Sequence, residues 1–314
     1  MMHSYKLLFN TMCGLLLLSS SLATSQDLQL AGLSYTKFSN AKVLDSPSNE
    51  EMEVNEYNFF FNIPKVLKNE KIILINGLQY RLATPVVDNN LNLDLEGQQL
   101  HVIGYRFAAL HQLGRKWKML FSLNPTLSST FNTALNQDDF LINGSLHFVK
   151  KKSDHFEFGS GIALTSSYGL PRFIPTMQLT FSSKHAKFEM LLPRRITYDH
   201  YFGKFTAGIQ VTVNGSRYNA NYSRVDALNE IVQVNQLSYT RMIAGPSLSY
   251  CVGKVILIEA SGGLTIARKV RLQDDLSNYE NYDISNSPFF QFGIAIVPSK
   301  KTTTKDQISR SQQP

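Results

Sequence analysis

The chain has 314 residues, 31 Lys and Arg against 24 Asp and Glu, a formal charge of +7, and two cysteines. With Cys13 inside an N-terminal apolar segment, only Cys251 is left to the body of the chain, which excludes a disulfide-stapled domain. The positive balance would fit an anionic surface or nucleic acid. The lysines, however, cluster in short connections ("PKVLKNEK", "GRKWK", "VKKKSD", "SSKHAK", "FGK", "VGK"), the ordinary place for solvated turns.

Residues 1–25 read as a cleavable secretory signal. Lys6 supplies the positive start, "LLFNTMCGLLLL" (7–18) the apolar core, and Ala23 and Ser25 the small residues before Gln26. A transmembrane anchor needs about 20 apolar residues, and Asn10 and Thr11 interrupt a shorter run. Met12 is too large to precede a lipoprotein cysteine. No later segment approaches a helical span.

From there on the pattern is alternation. Segments near 28–38, 53–62, 71–82, 98–110 and 116–128 come first, then 139–150, 155–166, 173–182, 186–192 and 195–202. Those near 204–218, 231–250, 255–268 and 287–297 complete the set. In "KWKMLFSLN" Trp117, Met119, Phe121 and Leu123 oppose Lys118, Ser122 and Asn124. In "FLINGSLHFV" Phe140, Ile142, Leu146 and Phe148 oppose Asn143, Ser145 and His147. In "FTAGIQVTVNG" Phe205, Ala207, Ile209, Val211 and Val213 oppose Thr206, Gly208, Gln210, Thr212 and Asn214. Such a period of two specifies strands with one apolar and one polar face. Apolar spacing of three and four is never sustained, so the chain is all-β.

Connections alternate in length. Connections after odd strands are mostly long and polar (39–52, 83–97, 219–230, 269–286), and those after even strands are mostly short and carry the lysines, as in an outer-membrane barrel. Most segments run longer than the roughly 5–6 residues of soluble strands and match the 9–11 of a tilted membrane strand. Their polar faces carry Gly, Ser, Asn and Gln, which suits a crowded, wet lumen better than a sandwich's outer face. Aromatics near segment ends (Tyr57, Phe59, Phe61, Tyr80, Tyr105, Phe107, Tyr201, Phe202, Phe289, Phe290) fit interfacial girdles. The expected fold is a transmembrane antiparallel up-and-down β-barrel over 26–298, with about 14 strands and 12 as the alternative. A disordered polar tail follows at 299–314. A soluble exported β-sandwich is the competing architecture. One feature departs from many bacterial barrels: no aromatic residue ends the chain, and 17 residues follow Val297.

The stretches "FNIPKVL" (61–67), "GLPRFIPTMQLTF" (169–181), "FEMLLPRR" (188–195) and "GGLTIARKV" (262–270) carry a resemblance. They are similar to an uncharacterised family of predicted outer-membrane β-barrel proteins from Bacteroidota. The resemblance implies an outer-membrane location and carries over no active site.

The chemistry-bearing residues are sparse. His101, His111, His147, His155, His185 and His200 show no metal-binding spacing, and neither a Gly-x-Ser-x-Gly elbow nor a P-loop is present. Ser145 and His147 share a face but lack a recognisable third partner, so no catalytic, metal or cofactor residue is assigned. Glu56, Arg81, Arg106, Glu157, Glu189 and Glu259 fall in the phase of the small polar residues and are expected to face the lumen. Burying such a charge in lipid near the midplane costs roughly 2–4 kcal/mol for Arg or Lys. They either pair across the barrel or line a conduit. The function expected is a passive conduit for small solutes or a structural envelope protein. A barrel enzyme acting on membrane lipid is the alternative. Expected partners are outer-membrane lipid and, during biogenesis, the barrel-assembly machinery; neither nucleic acid nor an oligomer is expected.

Overall fold

The computed structural model describes residues 28–44, 50–67, 71–88, 93–95, 97–225 and 231–298. The signal segment 1–25 and the tail 299–314 lie outside the described residues. Alternating β-branched and aromatic residues form β1 (Ala31–Phe38), β2 (Glu51–Val66), β3 (Ile72–Asp88), β4 (Leu100–Gln112) and β5 (Trp117–Ser129). Next come β6 (Phe140–Lys151), β7 (Phe156–Thr165), β8 (Arg172–Ser182), β9 (Ala186–Leu192) and β10 (Arg195–Phe202). The last are β11 (Phe205–Val225), β12 (Ile231–Val252), β13 (Ile256–Asp274), β14 (Tyr279–Ile284) and β15 (Pro288–Ile296).

Each strand from β1 to β13 pairs antiparallel with its successor, and β15 joins β13 to β1. The sheet therefore closes into a 14-strand antiparallel barrel, the fold expected from the alternation. Closure removes the open edges that a sheet of this size would otherwise present. β14 stands outside the ring. It continues the register of β15 along β13, since Arg268 faces Ile284 and Leu264 faces Pro288, so the two are one strand broken at 285–287.

Several long connections are shorter than the sequence indicates. β3 runs on to Asp88, β11 to Val225 and β13 to Asp274, so much of 83–97, 219–230 and 269–286 is strand. These extensions rise above the ring, where hairpin pairing continues: β11 pairs with β12 as far as Val225 and Ile231. On the opposite wall β9 and β10 are short and joined through only Pro193 and Arg194, which leaves the barrel low on that side. Above that low stretch β11 meets β5 directly, Thr130 N donating to Asn219 O at 3.0 Å.

The interior is not polar throughout, contrary to the expectation of a wet lumen. At the long-connection mouth, Phe38, Met52, Val54, Val87, Leu237 and Leu272 are each at most 4% exposed and pack into one apolar cluster. Leu93 and Leu95, from the β3–β4 connection, complete this plug from above. Tyr222 Oη donates to Leu93 O at 3.1 Å and pins the connection in place. Near it, burial and a hydrogen bond to Glu280 push the Tyr282 phenol up to about 12, so it stays a donor at neutral pH.

A bulge on β13 makes the plug possible. Register slips between Met242 and Ile243 of β12, and both Ile266 and Ala267 face outward. Below the slip odd residues such as Glu259 and Ser261 face in; above it even residues Arg268, Val270 and Leu272 do. A single extra residue thus reverses which face is buried. Glycine allows close strand approach elsewhere: a Cβ on Gly161 of β7 would lie 2.9 Å from His147 Cα on β6.

The exterior is apolar. Leu33, Phe59, Phe61, Leu78, Ile142, Phe173, Ile209 and Leu248 are all largely exposed on it. Monomeric soluble proteins rarely expose so continuous an apolar surface, which is typical of a membrane or protein contact. Two aromatics expected in an outer girdle instead face inward: Phe289 is 3% exposed within the plug, and Tyr201 lines the interior. Both follow from the phase of their strands, since Phe290 and Phe202 take the outward positions. No helix among the described residues is long and apolar enough to cross a membrane.

Candidate functional site

Below the plug lies a cavity of about 960 Å³ lined by small polar residues and by charges. It sits at the upper end of the roughly 300–1,000 Å³ typical of ligand pockets. Thr206, Gln210 and Asn214 of β11 reach it, while Phe205 and Ile209 on the alternate positions face outward.

The six charges singled out in the sequence divide by environment. Arg81, Arg106, Glu189 and Glu259 line the cavity. Glu56 lies higher, inside the plug, where it pairs with Arg241; both side chains are 7% exposed. Glu157 pairs with Lys118 near the short-turn end. Glu189 is held between Lys187, at 2.9 Å, and Arg195. Glu259 accepts from Gln29 Nε2 at 3.0 Å. Arg81 donates to Ser216 Oγ, with its Nε buried and unpartnered. Three of the four acids are thus in ion pairs that brace the wall, whereas Arg81 and Arg106 meet no carboxylate among the described residues.

Sequence reading missed Arg194, which lies in a turn with no alternation to give it a face, and Arg195, the first residue of β10. Both project into the cavity from the β9–β10 junction. It also missed Arg241 and Arg268. Arg268 is 2% exposed, lies over the rings of Phe38 and Tyr239, and donates to Ser287 Oγ at 3.1 Å. Guanidinium stacked on aromatic faces is favourable, and these contacts set the charge into the plug.

Ser145 and His147 do face inward, but each is engaged elsewhere. Ser145 Oγ lies 2.8 Å from Ser122 Oγ, and His147 Nδ1 lies 3.3 Å from Thr176 Oγ1. Among the described residues no group of three His, Cys, Asp or Glu side chains could hold a metal. Cys251 is a free thiol, half-buried near Leu257 and Val297.

A closed β-barrel with an apolar exterior and a charged, water-accessible interior is the class that fold and cavity define. Within it, the chain belongs to the family described as Domain of unknown function (DUF6268), whose model matches residues 28–297. No curated protein matches the chain. Among solved structures it is similar to the Pseudomonas putida toluene transporter TodX, at 9% identity over 88% of this chain and 91% of that one, TM-score 0.35. It is also similar to a bacterial polysaccharide outer membrane secretin, at 11% identity over 86% and 98%, TM-score 0.32. A mutant of the Rh. blastica porin gives 7% identity over 84% and 100%, TM-score 0.27.

Proposed function

We propose that this protein spans the outer membrane as a monomer and serves as a conduit for small polar solutes, shut at its long-connection mouth by the apolar plug. The signal segment 1–25 directs export, the barrel-assembly machinery inserts the strands, and lipid covers the outer face. The motif resemblance supports a Bacteroidota source. Catalysis has no part in this reading.

One observation carries it: a charged cavity of about 960 Å³ ends against a cluster of apolar side chains inside the same barrel. Hydrophobic constrictions gate pores by excluding water, so the plug is a barrier that wetting would open. The plug also supports a second reading, a permanently sealed structural envelope barrel.

Planar-bilayer recordings distinguish the two. The parent is expected to show little conductance, with rare openings. Leu237→Ser removes a side chain 1% exposed in the plug and places a hydroxyl there, so conductance should rise clearly. If parent and variant are both silent while running as folded barrels on gels, the conduit reading falls and the structural one stands.

A further inference from the structure

We infer that Arg81, Arg106 and Arg194 form a binding site inside the barrel for an oxyanion group, such as phosphate, sulfate or carboxylate. The inference deepens the conduit reading by naming the class of solute, and it can be tested by binding alone.

The three arginines reach the cavity from opposite walls. Arg81 on β3 and Arg106 on β4 share neighbouring strands, in register with Val102 and Gly77. Arg194 comes from the low β9–β10 turn across the cavity. It lies within electrostatic reach of Arg195, Arg106 and Arg81, whose like charges oppose its own, and of Tyr168. Arg194 thus shares the cavity with like charges that oppose its own, an arrangement that a bound anion would relieve.

Acids are available in the same cavity but are committed elsewhere. Glu189 serves Arg195 and Lys187, Glu259 accepts from Gln29, and Asp199, the third acid on the cavity wall, lies against Gly208 of β11 and is itself partnered. The arginines Arg81, Arg106 and Arg194 meet no carboxylate among the described residues, and the Arg81 Nε is buried without a partner. Arg106 and Arg194 remain accessible to water through the cavity. A guanidinium presents a planar fork of donors that suits the paired oxygens of a carboxylate, phosphate or sulfate. An oxyanion entering here would relieve the mutual repulsion and take up the unused donors. A spherical halide would relieve the charge but offers a single acceptor centre where an oxyanion offers paired oxygens matched to each fork. The site therefore prefers oxyanions to chloride.

The test is thermal unfolding of the full barrel in detergent, at constant ionic strength, titrated with inorganic phosphate, sulfate or chloride. A ligand that binds only the folded state raises the melting temperature in a saturable way. Phosphate or sulfate should do so, and chloride should give a much smaller shift. Arg106→Gln and Arg194→Gln should each weaken the apparent affinity at least tenfold. In oxyanion-free buffer Arg194→Gln should melt no lower than the parent, because repulsion is removed. Lys118→Gln, whose pairing with Glu157 is remote from the cluster, should leave the affinity unchanged. Absence of a saturable shift in the parent overturns the inference, as does a shift that survives both arginine changes. Neither result touches the conduit reading, which conductance decides separately.

Discussion

Arg241→Ala is expected to lower the stability of the folded barrel by about 3–5 kcal/mol, the usual cost of breaking a buried ion pair. Glu56 and Arg241 are both 7% exposed at the side chain, with apolar plug residues around them. Removing the guanidinium leaves the Glu56 carboxylate buried without its counter-charge and takes away one of the two cations, Arg241 and Arg268, that lie over the rings of Phe38 and Tyr239. Replacing both members, as Glu56→Gln with Arg241→Leu, should recover most of the loss, because no charge is then stranded. Urea unfolding in detergent measures both. Equal midpoints for Arg241→Ala and the parent would show that the pair is not sealed in the plug.

Ile209→Arg should be nearly as damaging, for a different reason. Ile209 is 62% exposed on the apolar outer face, and Gln210 beside it lines the cavity. In a membrane the new charge meets hydrocarbon, at roughly 2–4 kcal/mol if near the midplane. One residue along, Gln210→Arg enters a wet interior and should assemble almost normally. Gln210→Leu is expected to alter any conductance, since it narrows and dries the cavity. The folded fraction in detergent and lipid, with bilayer recordings for the two changes at Gln210, provides the check. Equal tolerance of arginine at both positions would contradict the assignment of faces.

The strand order was legible in the sequence because one rule, alternation, governs every wall segment. Where the rule changes within a strand, legibility fails. In β2 the outward residues Tyr57, Phe59 and Phe61 are odd, but the buried plug residues Met52 and Val54 are even. Both faces are then apolar at different heights, and the segment looks shorter than its 16 residues. The same holds for β3, where Leu78 and Tyr80 face out and Ala83 and Val87 face in. In β13 the bulge shifts the phase of Arg268, so that this arginine joins the plug although its distance from Glu259 is odd. No local pattern announces such a slip, because it depends on the partner strand.

The site was half legible on the same grounds. Arg81 and Arg106 sit in strands whose phase shows their inward direction. Arg194 occupies a two-residue turn at the low part of the wall, and only closure of the barrel brings it opposite them. Charge pairing followed a similar divide. Lys118 reaches Glu157 over the intervening strand β6, and Arg241 of β12 reaches Glu56 of β2; neither pairing can be read along the chain.

The most direct test of the account is the location and state of the native protein. After cell fractionation and carbonate extraction it should remain with the outer membrane. It should also migrate at a different apparent mass with and without boiling, because a closed barrel resists detergent unfolding until heated. Recovery as a soluble periplasmic protein with a single mobility would contradict the membrane barrel outright.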